Sequence, residues 1–323
     1  MNENIKEAIA KASSILITTH IYPDADGIGS QISLCLALRE LGKQSICFNE
    51  KELLERYKYL DHKNVVHSID NISDHNFEPD LIIVVDTNTK ERTGSRMLEY
   101  YETNNTRCIY IDHHPCIKEV SENHFIDTTA AATGQMAGEL IQSLGVSFTK
   151  EIALALYTAI IIDTSSFRYP TVSSRTHTLV SKLLETGIEP TVAYNGIYGT
   201  KTIKHLHLLG KILSTAKSNE AHDIYWIVFN QADLENFDTD IEDTHAFINH
   251  LLILDNIKVA CMIRDDGDFV KVSLRSNGQC DVGIIAQKLG GGGHSHSAAT
   301  IIEKTKNLDI IIEETIKTIE SLC

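Results

Sequence analysis

The stretch Ile15–Ser30, ILITTHIYPDADGIGS, decides the fold of this chain. Its first five residues, Ile15–Thr19, are apolar or β-branched, and this pattern predicts a buried strand. The loop after the strand carries one imidazole and two carboxylates, on His20, Asp24 and Asp26. An open α/β sheet binds its ligands beyond the carboxyl ends of its strands. The loop is therefore either a ligand-binding site or an ordinary Asp-rich turn, and the rest of the chain has to decide between them.

Two later strands repeat this arrangement. Leu81–Val85, LIIVV, is a continuous apolar run typical of a strand buried on both faces of a parallel sheet, and Asp86 follows it. Arg107–Ile111, RCIYI, is a third such strand, and the residues after it are Asp112, His113 and His114. Because the carboxyl ends of neighbouring parallel strands share one edge, we expect these side chains to converge.

The helices predicted around these strands supply one more acid. A helix is predicted to begin beyond Gly29 and to end before Gly42. The strongly apolar helix Glu151–Ile162 is predicted to present Asp163 at its end. A carboxylate at the carboxyl end of a helix opposes the helix dipole, so a bound cation would explain its position.

The length of 323 residues predicts two domains, because one core seldom grows that large. We predict an α/β fold with a parallel-sheet domain at the amino end and a smaller α/β domain at the carboxyl end, joined by a helical linker. The predicted ranges are 1–188, 189–220 and 221–323. The share of hydrophobic residues, 42%, and of charged residues, 23%, is typical of a soluble globular protein.

Charge and cysteine content exclude several classes of protein. The net charge of -15 argues against binding long duplex nucleic acid, whereas short anionic substrates remain possible at a local positive site. The seven cysteines are scattered and contain no Cys-x-x-Cys pair, which predicts reduced thiols in the cytoplasm and no disulfide framework. No apolar stretch is long enough to span a membrane, so no membrane association is expected.

The converging side chains predict a metal site. They are His20, Asp24, Asp26, Asp86, Asp112, His113, His114 and Asp163. Carboxylates with some imidazoles and no thiol favour Mn²⁺ or Mg²⁺ over structural zinc, and the imidazoles favour manganese. Two such ions about 4 Å apart activate water and hold a phosphoryl group in line for attack. The predicted reaction is phosphoester hydrolysis; the alternative is a set of solvated turn acids and core histidines.

A glycine run in the second half is a further candidate site. Four consecutive glycines, Gly290–Gly293, precede His294. They are either a flexible linker or a place where backbone N–H groups close on a phosphate or a base. Arg275 is either a bidentate partner for a terminal phosphate or a solvated arginine at a strand end. Arg168, shortly after Asp163, either reaches the substrate or packs on the surface.

These motifs together resemble the DHH phosphoesterase superfamily, which includes RecJ nucleases, family II inorganic pyrophosphatases and small nanoRNase and phosphoadenosine-phosphate phosphatase enzymes. The amino-terminal motifs are His20-x-x-x-Asp24-x-Asp26-x-x-Gly29-Ser30, Asp86, Asp112-His113-His114 and Asp163. Arg275-Ser276 and the run Gly290 to His294 resemble the DHH-associated domain. The family run usually finishes Ala-Ser-Gly, whereas this chain has Ser297-Ala298-Ala299.

The resemblance implies a role for each residue. One metal would be held by His20, Asp24 and Asp86, and the other by Asp26, Asp86, His113 and Asp163, with Asp86 as the bridge. His114 would contact the substrate phosphate, and Asp112 would orient an imidazole or, alternatively, cap a turn. The residues expected to bind the substrate are Arg275, Ser276, Gly291, Gly292, Gly293, His294 and Arg168.

The resemblance also implies an activity. We expect a manganese-dependent phosphodiesterase, with magnesium possible, that hydrolyses short 5'-phosphorylated oligoribonucleotides such as the dinucleotide pApA. It would also act as a phosphatase on 3'-phosphoadenosine 5'-phosphate, and a homodimer is possible. The alternatives are a cyclic di-AMP phosphodiesterase, a family II pyrophosphatase, and a non-catalytic nucleotide-binding protein on the same fold.

Overall fold

The computed structural model describes residues 3–116, 121–199 and 201–323. The chain divides into two compact units, Met1–Thr200 and Lys201–Cys323. The predicted ranges 1–188, 189–220 and 221–323 stay a prediction. Within the stretch predicted as a linker, two helices are separated by a break before Ile203.

The first unit contains a sheet flanked by helices. Its strands are β1 (Ser14–Thr18), β2 (Gln44–Asn49), β3 (Val66–Ser68), β4 (Leu81–Val85), β5 (Cys108–Asp112) and β6 (His124–Ile126). Its helices are α1 (Glu3–Lys11), α2 (Ala25–Glu40), α3 (Ser95–Asn104), α4 (Thr133–Ser143), α5 (Lys150–Asp163), α6 (Ser174–Glu185) and α7 (Pro190–Tyr198). Short 3-10 segments cover Glu55–Leu60, Ile69–His75 and Lys90–Thr93.

All strand pairs of this sheet are parallel, in the order β3-β2-β1-β4-β5-β6. The strands β1 and β4 lie at the centre, with Ile17 beside Ile83 in the register. The apolar residues of both strands are buried, which explains their unbroken hydrophobic sequence. The predicted α/β fold with a parallel amino-terminal sheet is confirmed.

The start predicted for the first long helix was wrong. The helix α2 begins at Ala25, before Gly29, because the Asp24 side chain accepts hydrogen bonds from the backbone N–H groups of Asp26 and Gly27. This is the geometry of a helix amino-terminal cap. Gly29 lies inside the helix, where a Cβ would collide with the carbonyl oxygen of Ala155 in α5.

The second unit is built on a mixed sheet. Its strands are β7 (Lys217–Ser218), β8 (Ile224–Asn230), β9 (Val259–Asp265), β10 (Phe269–Ser276), β11 (Gly292–Gly293) and β12 (Ser297–Glu303). Its helices are α8 (Ile203–Leu213), α9 (Gln231–Asn236), α10 (Val282–Lys288) and α11 (Leu308–Leu322), with a 3-10 segment at Ile241–Ile253. The strand order is β11-β12-β10-β9-β8-β7, and only β8 and β9 pair in parallel among these strands.

The prediction that all cysteines are reduced thiols was wrong for one pair. Cys280 and Cys323 form a disulfide, with Cα atoms 5.5 Å apart. These residues lie 43 positions apart, at the turn before α10 and at the end of α11, so no sequence spacing indicated the pair. Within the described ranges, no helix has the length and apolar character that a membrane span requires.

Candidate metal centre

The carboxyl edge of the parallel sheet collects the acids and imidazoles predicted from the sequence. His20 follows β1, Asp86 follows β4, and the pair His113 and His114 follows β5. Two neighbouring helices add the remaining carboxylates: Asp24 caps the start of α2, Asp26 lies in the first turn of α2, and α5 ends at Asp163. The convergence follows from parallel pairing, which aligns all strand ends at one edge.

Three overlapping groups of these side chains have the geometry of metal ligands. Within each group the ligand atoms lie within 4.8 Å of one another. The groups are His20 with Asp24 and Asp86; Asp26 with His113 and Asp163; and Asp86 with His113 and His114. The shared members Asp86 and His113 link the three groups into one cluster.

Asp86 lies at the centre of this cluster and is 2% exposed. Its Oδ2 is 3.4 Å from Nε2 of His20, and its Oδ1 is 3.7 Å from Nδ1 of His114. Burial opposes its ionisation, but the hydrogen bond from His20 and the nearby His114 and His113 outweigh burial and lower the pKa of Asp86. Its carboxylate is therefore held ionised, as a bridging ligand requires.

The backbone of Asp86 is also unusual. Its φ is +59°, in the left-handed region that a residue with a side chain seldom adopts. Its N–H donates to the carbonyl of Ile111, at 3.0 Å, which fixes the end of β4 against β5. Backbone strain of this kind costs on the order of 1–3 kcal/mol and is concentrated at functional sites.

Asp26 is positioned by the amino end of α4. Its carboxylate accepts the backbone N–H of Thr133 at 2.8 Å and that of Gly134 at 2.7 Å, and the hydroxyl of Ser30 donates to it. These bonds favour the charged form, but burial and the neighbouring carboxylates of Asp86 and Asp163 raise the pKa of Asp26 well above its usual value.

The protein also compensates the negative charge of two further carboxylates poorly. Burial is the largest cause that raises the pKa of Asp163, to about 7; His113 opposes the shift, and Asp24 and Asp86 add to it. Burial and the charge of Asp86 raise the pKa of Asp24. A cluster whose carboxylates resist ionisation in the protein alone fits a site for divalent cations, whose charge would stabilise the ionised forms. Oxygen and imidazole donors suit Mn²⁺ or Mg²⁺.

The imidazole of His114 is positioned by a buried carboxylate. Its Nδ1 lies 2.7 Å from Oδ1 of Asp112, which is fully buried. Oδ2 of Asp112 accepts a hydrogen bond from Nδ2 of Asn88 at 2.8 Å. Burial opposes protonation of His114, but the bond to Asp112 and the charges of Asp86 and Asp112 raise its pKa to about 9. Its ring is therefore a cation near neutral pH.

Sequence reasoning missed Thr133, Gly134 and Asn88. The hydroxyl of Thr133 donates to Oδ1 of Asp86 at 3.0 Å, so this residue bonds two predicted metal ligands at once. Its position in the chain, 47 residues from Asp86, gives no local signal. Asn88 lies in a polar loop two residues after Asp86, and this closeness to a predicted ligand was a sequence signal for a role in the site.

Arg168 is engaged by its own loop. Its Nε donates to the carbonyl of Ser165 and its Nη2 to the hydroxyl of Ser165, both at 2.8 Å. The residues Ser165, Ser166 and Phe167 all have positive φ, so the chain turns tightly just after Asp163. The guanidinium fixes this turn, and a contact with substrate stays a prediction.

In the second unit, the glycine run is a packed strand and turn. Gly292 and Gly293 form β11 and pair with Ala299 and Ala298. The backbone N–H groups of Gly290, Gly291 and His294 donate to carbonyls of Gln287, Ala286 and Ser297. A Cβ on Gly291 would collide with the carbonyl oxygen of Ala299, which explains why glycine is needed there. These three N–H groups are therefore already used inside the protein.

Arg275 and Ser276 lie at the end of β10 beside this run. Nη1 of Arg275 donates to the carbonyl of Leu274, and its Nε is buried without a hydrogen-bond partner. The N–H of Ser276 donates to the carbonyl of His296 at 3.0 Å. This bond joins the end of β10 to the turn that contains His294.

The chain is similar in sequence to curated proteins of two bacteria. It is 28% identical over 298 residues to the bifunctional oligoribonuclease and PAP phosphatase NrnA of Thermus thermophilus, which covers 92% of this chain and 85% of that protein. It is 24% identical over 326 residues to the protein of the same name from Bacillus subtilis, which covers 100% of this chain and 99% of that protein.

Solved structures show the same fold. An exopolyphosphatase-related protein of Bacteroides fragilis superimposes with a TM-score of 0.88 at 24% identity, covering 99% of this chain and 95% of that one. RecJ of Thermus thermophilus, solved with Mn²⁺, gives a TM-score of 0.56 at 12% identity over 99% of this chain and 54% of RecJ. Residues 14–160 match the DHH family, N-terminal domain, and residues 209–321 match the DHHA1 domain. The chain therefore contains a DHH domain followed by a DHHA1 domain.

Proposed function

We propose that this protein is a metal-dependent phosphodiesterase that hydrolyses short 5'-phosphorylated oligoribonucleotides, such as pApA, to mononucleotides. We further propose that it removes the 3'-phosphate from 3'-phosphoadenosine 5'-phosphate. The observation that carries the proposal is the central position of Asp86, which belongs to two of the three ligand groups and lies within ligand distance of three imidazoles. The activities named for the relatives from Thermus thermophilus and Bacillus subtilis support the choice of substrate.

We propose the following ligands. His20, Asp24 and Asp86 form one set, and Asp26, His113 and Asp163 form the other, with Asp86 bridging them. Two Mn²⁺ ions bound there, or Mg²⁺ in their place, would supply an activated water and neutralise the charge of the phosphoryl group. Thr133 would fix the orientation of Asp86 and Asp26 through its hydroxyl and its backbone N–H.

His114 is proposed to contact the phosphate that is cut. Nδ1 of His114 donates a hydrogen bond to Oδ1 of Asp112, so the opposite ring nitrogen, Nε2, can donate to a phosphate oxygen. Since the pKa of His114 is raised to about 9, the ring brings positive charge to a centre that otherwise contains mainly acids. Asn88 keeps Asp112 in place through its own hydrogen bond.

The DHHA1 unit is proposed to bind the phosphorylated end of the substrate. Arg275 is the main contact, since a guanidinium binds a terminal phosphate through two hydrogen bonds. The remaining proposed contacts in this unit are Ser276, Gly291, Gly292, Gly293 and His294, and Arg168 of the first unit is proposed as a further contact with the substrate. We expect the protein to act in the cytoplasm on short single strands, and a homodimer stays a prediction.

The test is a parallel turnover assay with Mn²⁺. The compounds are pApA, a 5'-phosphorylated pentaribonucleotide, 3'-phosphoadenosine 5'-phosphate, cyclic di-AMP and pyrophosphate. We expect fast release of AMP from pApA and slow cleavage of the cyclic compound. A clear preference for cyclic di-AMP would assign the protein to the signalling phosphodiesterases, a preference for pyrophosphate to the pyrophosphatases, and no turnover of any compound to non-catalytic binding.

A further inference from the structure

The loop that carries His20 and Asp24 also carries an exposed aromatic ring. Tyr22 lies between these two residues, and 72% of its surface is exposed. A single exposed aromatic residue needs no explanation by itself. The surroundings of Tyr22 give it two properties that an ordinary surface tyrosine lacks.

The first property is a fixed backbone. On one side of Tyr22, the N–H of Ile21 donates to the carbonyl of Arg92 at 2.8 Å. On the other side, Asp24 caps α2 through the N–H groups of Asp26 and Gly27. The ring is therefore presented to solvent from a backbone held at both ends, so little conformational entropy would be lost when a ligand packs against it.

The second property is a positive charge over the ring. The Nζ atom of Lys51 lies 4.4 Å from the centroid of the Tyr22 ring, in cation–π contact. Parallel pairing of β1 and β2 explains this contact, because it places the segment after Asn49 beside the segment after Thr18. Lys51 therefore places an ammonium beside the loop that carries His20 and Asp24, in a chain with a net charge of -15.

An exposed aromatic face and an adjacent ammonium are the two groups that bind a nucleotide in a single strand. A base stacks on the ring whatever its identity, and the ammonium attracts the phosphate. We propose that Tyr22 and Lys51 form a nucleotide subsite on the metal-binding unit, in which a substrate base stacks on the exposed ring of Tyr22. This inference rests on the proposed function, and it adds that the enzyme distinguishes nucleotides from base-free phosphodiesters at this ring.

The first test measures nucleotide binding independently of turnover. The chain has a single tryptophan, Trp226, whose Nε1 is buried without a hydrogen-bond partner, so Trp226→Phe provides a background without tryptophan fluorescence. Tyr22→Trp in that background places the only indole at the proposed subsite. Titration with AMP, in metal-free buffer and again with Mg²⁺, should quench its fluorescence saturably. No quenching at any AMP concentration would overturn the subsite, whether or not the protein hydrolyses pApA.

The second test separates the base from the phosphate. Tyr22→Ala should raise KM for pApA about tenfold, whereas Tyr22→Phe, which keeps the stacking face, should remain near the parent value. For pApA in which each base in turn is replaced by a tetrahydrofuran nucleoside, the effect of Tyr22→Ala should disappear for one of the two positions. An equal rise in KM for all these substrates would show that Tyr22 only supports the ligand loop, and would overturn the proposal.

Two further variants complete the design. Lys51→Met keeps the aliphatic stem and removes the charge, so it should raise KM for pApA by a smaller factor that decreases with added salt. Phe269→Ala removes a ring that is 49% exposed in the other unit and should leave KM unchanged. If the proposed function is wrong, the parent protein will not hydrolyse pApA. The fluorescence titration can still detect the subsite in that case.

Discussion

The metal centre and the glycine-rich region differ in how completely the protein satisfies its own polar groups. In the metal centre, burial and mutual repulsion raise the pKa values of Asp24, Asp26 and Asp163, so the ionised cluster is incomplete without added positive charge. In the glycine-rich region, the N–H groups of Gly291 and His294 already donate to neighbouring carbonyls. The first region is therefore suited to binding a cation, whereas the second region satisfies these backbone N–H groups within the protein.

The difference changes the interpretation of the glycines. Their sequence suggested a loop whose backbone encloses a phosphate, but close packing against β12 explains at least Gly291. Any substrate contact in this unit depends more on side chains, above all on Arg275. The two regions can be tested separately, because they belong to different units of the chain.

The largest effect is expected for Asp86→Ala. Loss of the ligand shared by two sets should reduce kcat by about a thousandfold or more, since the charge stabilisation at the reacting phosphate would be lost. Metal content and turnover of pApA are the measurements, and circular dichroism checks the fold. Asp74→Ala, an exposed carboxylate outside the cluster, is the matched control. Normal turnover with normal metal content would contradict the proposed bridge.

Thr133→Val should have the next largest effect. It removes the hydroxyl that donates to Asp86 but keeps the branched shape and the backbone N–H that donates to Asp26. We expect metal affinity or kcat to fall about 10- to 100-fold, the usual range for residues that orient ligands. Thr133→Ser should restore both. If Thr133→Ser and Thr133→Val have the same metal affinity and kcat, the hydroxyl does not orient Asp86.

Arg275→Ala tests the second region. We expect KM for pApA to rise about tenfold or more, because a hydrogen bond to a charged group is worth about 1.5–3 kcal/mol. Hydrolysis of a small generic phosphodiester should be spared. Lys217→Ala, which removes an exposed cation from the same unit, is the control. An equal loss on both substrates would end the division of roles between the two units.

The smallest effect concerns the stability of the metal-free protein. Asp163 has its pKa raised to about 7, so the folded state holds this proton more tightly than the unfolded state does. Its contribution to stability is therefore lost as pH rises from the ordinary Asp pKa towards about 7. With metal removed by a chelator, Asp163→Asn should raise the Tm by a few degrees at about pH 8 and have little effect at about pH 4.

Thermal melts across that pH range measure the effect, and Mn²⁺ provides the comparison. Added Mn²⁺ should raise the Tm of the parent protein and flatten its pH dependence, because the ion competes with the proton for the same oxygens. The Asp163→Asn protein should respond less. If the Tm of the parent protein instead rises with pH over the same range in chelator, the carboxylates of the cluster do not repel one another enough to destabilise the fold.

Much of the architecture followed from local patterns. The continuous apolar runs LIIVV and RCIYI predicted β4 and most of β5. The start of α2 was missed because the cap at Asp24 was interpreted as part of a ligand loop. The short strands β3 and β6 were missed, since three residues give too little periodicity to detect.

The sequence by itself determined which acids and imidazoles follow the strands and which strand ends carry them, because apolar runs and loop acids are local properties of the chain. The tertiary structure alone decided that Asp26 meets the N–H of Thr133, 107 residues away, and that Cys280 meets Cys323. The tertiary structure also placed the guanidinium of Arg168 in hydrogen bonds with Ser165. Such pairings depend on where distant segments lie in space and on how buried charges compensate one another, and neither quantity is encoded in residue spacing.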